Sequence, residues 1–190
     1  EGAWVPHLSI DDVRRLADAA GESARAPKGL RDRLLVQTIF DGCFRVSEAL
    51  QLTPAHLEDT QDGCMVMVRG KGGKSGQVAL SRSLVGQLMA YAYRIKLDRN
   101  ARFFPMTPRR VWQVVDRAFK VTGIVKLPHV GTVHVLRHSG AIARLAETGN
   151  PKAVQDHLRH VSAAMTLRYL KTLSAKESLR IQQRVDFGWG

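Results

Sequence analysis

One segment of this chain departs from the pattern of all the others. Residues 64–69 read Cys-Met-Val-Met-Val-Arg, a run with strand character, and residues 77–80 resume it after the connection Gly-Lys-Gly-Gly-Lys-Ser-Gly at 70–76. Two such runs joined by a glycine-rich link read as an antiparallel hairpin. A lone hairpin is marginal in water and needs other elements to cover it. Those elements are helical. Ser9 followed by Asp12 reads as a helix start, with Val13, Leu16 and Ala20 on one face. A second helix is expected over 29–41, with Leu30, Leu34, Leu35 and Ile39 inward and Arg31 and Arg33 outward. A short helix at 47–51 stops near Pro54. Further helices are expected over 83–95, with Leu84, Leu88 and Tyr91 inward, and over 108–121, where Thr107 caps and Pro108 suits the first turn. Residues 98–105 read as a loop. From Thr132 onward the pattern is helical, with breaks at Gly149-Asn150-Pro151 and near Arg159. The expected fold is mainly α with a small antiparallel β-sheet (α+β), with no internal repeat and no sharp linker.

Composition narrows the class. Apolar residues make up 44% of the 190, enough for a real core. No apolar run approaches the roughly 18 residues needed to span a bilayer, so no membrane partner is expected. The N-terminus lacks a basic stretch followed by an apolar one. Cys43 and Cys64 do not form a disulfide framework or a Cys-x-x-Cys pair, which makes a reducing cytoplasm the simplest compartment. The chain begins with Glu1 rather than Met and is therefore read as a fragment or processed product.

Charge is unevenly spread. The net is +12, from 29 basic and 17 acidic side chains. Residues 1–64 carry seven basic and eleven acidic groups, net −4; residues 65–120 carry twelve and two, net +10; the remainder carry ten and four, net +6. A clustered excess of this kind is the footprint of a surface that meets phosphate, although a solvated basic face has the same composition.

Four short stretches carry candidate chemistry. In Arg45-Val-Ser-Glu48 a carboxylate can hold an Arg whose fork fits two phosphate oxygens; the same spacing also suits a plain helical surface pair. Lys71 lies in the glycine-rich connection, where it reaches either a DNA groove and a leaving group or only solvent. That connection lacks the Gly-x-x-x-x-Gly-Lys-Ser/Thr spacing of a nucleotide-binding loop. In His134-Val-Leu-Arg137-His138 the two His and the Arg share a helical face. The i, i+4 His spacing suits a metal, but the zinc-site Glu is absent and Arg137 would stand beside the cation, so no metal is expected; the stretch reads either as a His and an Arg converging on an anion or as a helix carrying incidental basic residues. His160 precedes Tyr169 by nine residues; the Tyr is either a core aromatic or a nucleophile, and an unperturbed phenol near pKa 10 needs neighbouring cations to act as one.

Taken in order, Arg45-Val-Ser-Glu48, the hairpin Lys71, His134-Val-Leu-Arg137-His-Ser, His160 and Tyr169 resemble the catalytic domain of a tyrosine recombinase, of the phage integrase family. The resemblance runs from about residue 8 to 169. It implies a DNA breaking-and-rejoining fold, double-stranded DNA at a specific site as partner, a homo-oligomer (a tetramer) on that DNA, and no cofactor. It also implies roles: Tyr169 attacks the scissile phosphate to give a 3′-phosphotyrosyl bond, and Arg45 and Arg137 grip the non-bridging oxygens. Lys71 protonates the leaving 5′-oxygen, His134 assists proton transfer as base toward the Tyr, His160 donates to the phosphate and Glu48 orients Arg45. One departure stands out: Leu158-Arg159-His160, where the family usually has Leu-Gly-His. Gly suits positive φ and Arg does not, so the turn is expected to differ. Arg69, Lys74, Arg82, Arg109 and Arg110 become candidate DNA-backbone contacts that set affinity rather than sequence choice.

Residues 1–190 would then be a catalytic domain with a tail at 174–190, read as lacking the separate N-terminal core-binding domain such enzymes carry. Leu173, Leu179, Ile181, Val185, Phe187 and Trp189 make that tail apolar, to pack on its own domain or on a neighbouring protomer. Two rival readings share the features: a type IB topoisomerase, and a DNA-binding regulator without catalysis.

Overall fold

The first helix, α1 (Ile10–Glu22), begins where Ser9 accepts the amide of Asp12 at 3.1 Å. Asp11 and Asp12 fill its first turn, where the helix dipole favours negative charge. Its buried stripe, Val13, Leu16, Ala17 and Ala20, lies against α2 (Lys28–Asp41). On α2, Arg33 points outward to Asp18, as expected, but Arg31 does not: its side chain is largely buried against the carboxylate of Asp32. The computed structural model describes residues 5–61, 63–69, 75–159 and 162–189.

A short α3 (Val46–Ala49) leads into the sheet. β1 (Leu57–Thr60), β2 (Gly63–Arg69) and β3 (Ser75–Leu80) lie antiparallel in the order β1-β2-β3. The register pairs Cys64 with Leu80 and Val66 with Val78, which gathers their buried side chains on one face. The hairpin of β2 and β3 matches expectation; β1 was not foreseen. Helices α4 (Arg82–Arg94) and α5 (Pro108–Thr122) follow, the latter capped by Thr107 as predicted. The loop between them has no regular structure, yet its Phe103 and Phe104 are wholly buried.

The C-terminal third holds α6 (His134–Thr148), α7 (Pro151–Leu158), α8 (Ala163–Thr172) and α9 (Ala175–Gln182). The expected breaks at 149–151 and at Arg159 are present; a further one at Leu173-Ser174, where Ser174 and Glu177 cap α9 reciprocally, was not anticipated. Gly140 lets α6 approach the end of α2, since a Cβ there would collide with the Phe40 carbonyl oxygen. The core has two parts. The larger is built from α1, α2, the sheet, α4, α5 and the start of α6. The smaller joins Val5, Cys43, Ala141, Ile142, Leu145, Val154, Leu158 and Tyr169. On the tail, Arg180 and Arg184 meet Glu147 of α6, while Leu179, Val185, Phe187 and Trp189 stay exposed. Among the described residues, no helix is long and apolar enough to cross a membrane.

Candidate active site

The seam between the two cores collects the charged residues that sequence order singled out. Arg45 stands at the start of α3, and its own amide donates to Glu48 Oε2 at 2.7 Å, which ties the residue to the helix it opens. Its guanidinium reaches Glu48 Oε1 at 3.3 Å and remains half exposed. Glu48 itself is buried.

Arg137 enters from α6 and is 3% exposed. Its guanidinium lies 3.7 Å from Glu48 Oε2 and donates to the carbonyls of Cys43 and, at 2.8 Å, Leu158. These two carbonyls come from the turn after α2 and the end of α7, so the Arg is held by backbone on both sides. Burial pulls its pKa down to about 10, helped by the neighbouring Arg45 and Arg159 and opposed by Glu48. Arg159, the departure from the familiar Leu-Gly-His, does not project into solvent. It is buried, and its Nη2 donates to Glu48 Oε2 at 2.5 Å.

Tyr169 is 2% exposed on α8, and its hydroxyl meets Nδ1 of His138 at 2.7 Å. In the tautomer protonated on Nε2, that nitrogen accepts the phenol O–H. Burial raises the Tyr169 pKa to about 12, against the opposing pull of Arg137 and Arg168. His138 is pushed down to about 4, by burial first and then by His134, Arg137 and Arg168, so it is neutral at pH 7. His134 packs edge-on against His138 at 4.5 Å between ring centres, and burial lowers its pKa too. The imidazole at the Tyr hydroxyl is therefore that of His138, whereas the family resemblance pointed to His134 as the base toward the Tyr. Nothing in a separation of 31 residues signals the pair; it arises from α8 packing on α6.

The structure thus brings together Arg45, Glu48 and Arg137 in one cluster, and Tyr169 with the His134–His138 pair beside it. Lys71, Lys74 and His160 lie outside the described residues. Arg69, Arg82, Arg109 and Arg110 are all exposed. Arg69 borders a depression of about 340 Å³ shared with Glu48, Gln51, His56 and Arg102, the last a basic residue that the sequence reading did not name. Among the described residues, no group of three or more His, Cys, Asp or Glu could hold a metal ion.

Comparison with known proteins identifies the family. The sequence model of the Phage integrase family matches residues 6–176. Tyrosine recombinase XerD of Mycobacterium leprae is 32% identical over 190 residues, covering 91% of this chain and 58% of its own length. Tyrosine recombinase XerC of Bradyrhizobium diazoefficiens is 30% identical over 173 residues, covering 85% and 53%. The chain therefore spans little more than half the length of these curated relatives. Among solved structures, the XerH site-specific recombinase bound to difH substrate superposes with a TM-score of 0.74 at 22% identity, over 93% of this chain and 53% of that one. The catalytic domain of bacteriophage HP1 integrase gives 0.68 at 23% identity and covers 95% of both chains. At these identities the structural likeness concerns the fold.

Proposed function

Because this chain belongs to the phage integrase family, we propose that it cleaves and rejoins double-stranded DNA at a specific site through a covalent 3′-phosphotyrosyl bond to Tyr169. The observation that carries this reading is the pairing of the Tyr169 hydroxyl with a neutral His138, one residue from an Arg137 that shares Glu48 with Arg45. Attack on a phosphodiester needs a nucleophile, a base to take its proton, an acid for the leaving oxygen and cations around five-coordinate phosphorus. Tyr169 is the nucleophile. His138 takes the phenol proton directly, and His134 supports it from the ring contact. Arg45 and Arg137 bind the non-bridging oxygens, with Glu48 fixing Arg45. Lys71 protonates the leaving 5′-oxygen, and His160 donates to the phosphate. The bond energy is kept in the phosphotyrosine, so a 5′-hydroxyl reseals the strand without a nucleotide cofactor.

Residues 1–190 form the catalytic domain in this reading, with 174–190 as its tail. Exposed Leu179, Val185, Phe187 and Trp189 support assembly of several copies on paired DNA sites, a tetramer in the complete reaction. The setting is the DNA-containing cytoplasm of a bacterial-type cell; two of the relatives named above, XerD and XerC, come from bacteria. The test is covalent trapping on nicked duplex DNA. Tyr169→Phe should abolish the adduct while DNA affinity stays within about threefold. An adduct formed by the Phe variant would refute the assignment. Relaxation of plasmids lacking any specific site would point to a topoisomerase instead, and site binding without an adduct in the native sequence to a non-catalytic regulator.

A further inference from the structure

Arg159 occupies backbone that a side chain rarely adopts, φ +52° and ψ 100°, at the end of α7. Strain of this kind persists only when surrounding contacts over-determine it. Here those contacts are numerous. Nη2 donates to Glu48 Oε2 at 2.5 Å and lies 3.5 Å from the Cys43 carbonyl oxygen; Nη1 donates to the His157 carbonyl at 2.7 Å. The guanidinium sits 5.3 Å from the ring centre of Phe44, and the methylene stem lies over Gly76 of β3. Nε is buried and has no hydrogen-bond partner.

The consequence is electrostatic. Arg45, Arg137 and Arg159 converge on the single carboxylate of Glu48, so the cluster carries net charge +2. With Arg45 and Arg137 alone it would carry +1, and Glu48 would draw on both. Arg159 makes the shortest of the three contacts to Glu48, 2.5 Å against 3.3 and 3.7 Å. Arg137 and Arg159 are buried while Arg45 is half exposed, and buried like charges are costly unless an anion joins them. A phosphodiester brings one negative charge, and the five-coordinate phosphorane brings two.

We propose that Arg159 is a positioning residue of the phosphate site: it engages the carboxylate of Glu48, leaving Arg45 and Arg137 to the phosphate and matching the site's charge to the transition state. This rests on the recombinase reading above. Arg159 touches no substrate atom in this role and acts through Glu48.

The test compares Arg159→Gly and Arg159→Lys with the native chain. Gly suits the backbone at this position, so the variant should fold, which circular dichroism and urea unfolding check directly. The probe is a nicked duplex chosen by covalent capture from a random-sequence pool with the native chain. It is prepared with either a phosphodiester or a neutral methylphosphonate at the scissile position. On the phosphodiester, Arg159→Gly should slow single-turnover adduct formation about 10- to 100-fold, the range of 1.4 to 2.7 kcal/mol in barrier height, and Lys should recover part of it. On the methylphosphonate, with one charge removed, the gap should shrink to about threefold or less. An equal loss on both substrates would mean a merely structural role and would overturn the proposal, as would Arg159→Gly reacting at the native rate. If the native chain captures nothing from the pool, the recombinase reading itself fails and takes this proposal with it. Capture with no charge-dependent effect of Arg159 leaves the reading standing and removes only the proposal.

Discussion

Replacement of Glu48 by Ala tests how much the guanidinium cluster depends on one carboxylate. The side chains of Glu48, Arg137 and Arg159 are 4%, 4% and 6% exposed, so truncation leaves two buried guanidiniums without their shared anion. Removing one partner of a buried ion pair costs about 3–5 kcal/mol, chiefly through the uncompensated charge left behind. Arg45 adds little, because its side chain is 46% exposed and water screens its pair. The amide of Arg45 also loses its acceptor, a capping loss of about 1 kcal/mol. A net of about 4 kcal/mol is expected, since Arg137 keeps the Cys43 and Leu158 carbonyls. For a chain of this size that corresponds to a fall in Tm of about 8–16 °C. Glu48→Gln keeps the shape and a neutral acceptor, so its loss should be about half as large. Urea unfolding followed by circular dichroism gives the free energies, and calorimetry gives Tm. A loss below about 1 kcal/mol for Glu48→Ala would refute the claim that this carboxylate compensates the cluster.

Two further outcomes follow from the same charges. His138 and His157 have pKa values lowered to about 4 and about 3, both chiefly by burial. Each therefore binds its proton more tightly when unfolded, so the stability it contributes is complete above about pH 6.5 and is lost as pH falls toward about 4 for His138 and about 3 for His157. Urea titrations should show stability declining across that window by up to about 1.4 kcal/mol per pH unit for each His, and His157→Gln should flatten the slope; a flat profile in the native chain would contradict the neutral burial of both rings. DNA affinity, measured by anisotropy, should fall about tenfold or more between 50 and 200 mM salt if four or more of the exposed basic residues meet phosphate, and Arg109→Ala or Arg110→Ala should each lower the salt slope by about one. An unchanged slope in both variants would remove these residues from the interface.

Much of the fold could be read because the signals are local. Ser9 with Asp12 and Thr107 with Pro108 declare helix starts through groups that only the first turn can satisfy, and both caps are formed. β1 has no such signal. Leu57-Glu-Asp-Thr60 lacks apolar alternation and is a strand because β2 offers it an edge, with Leu57 opposite Val66. Phe103 and Phe104 are core residues in a loop, which periodicity cannot reveal. Arg31 misled for a related reason: helical position placed it outward, but buried Asp32 draws it in.

The candidate site divides along the same line. Residue types and their order named Arg45, Glu48, Arg137 and Tyr169, but the relations among them are tertiary. Glu48 was expected to orient one Arg and instead meets three, because Arg137 from α6 and Arg159 from the end of α7 both reach it. Tyr169 was expected to need cations to lower its pKa. Arg137 and Arg168 do pull it down, yet burial outweighs them and holds the phenol at about 12. A phenol that donates its proton to the His138 ring keeps lone pairs on the same oxygen, so one contact can serve both proton removal and attack in the proposed reaction. Local sequence cannot encode that contact, because it depends on the packing of α8 against α6 and the smaller core.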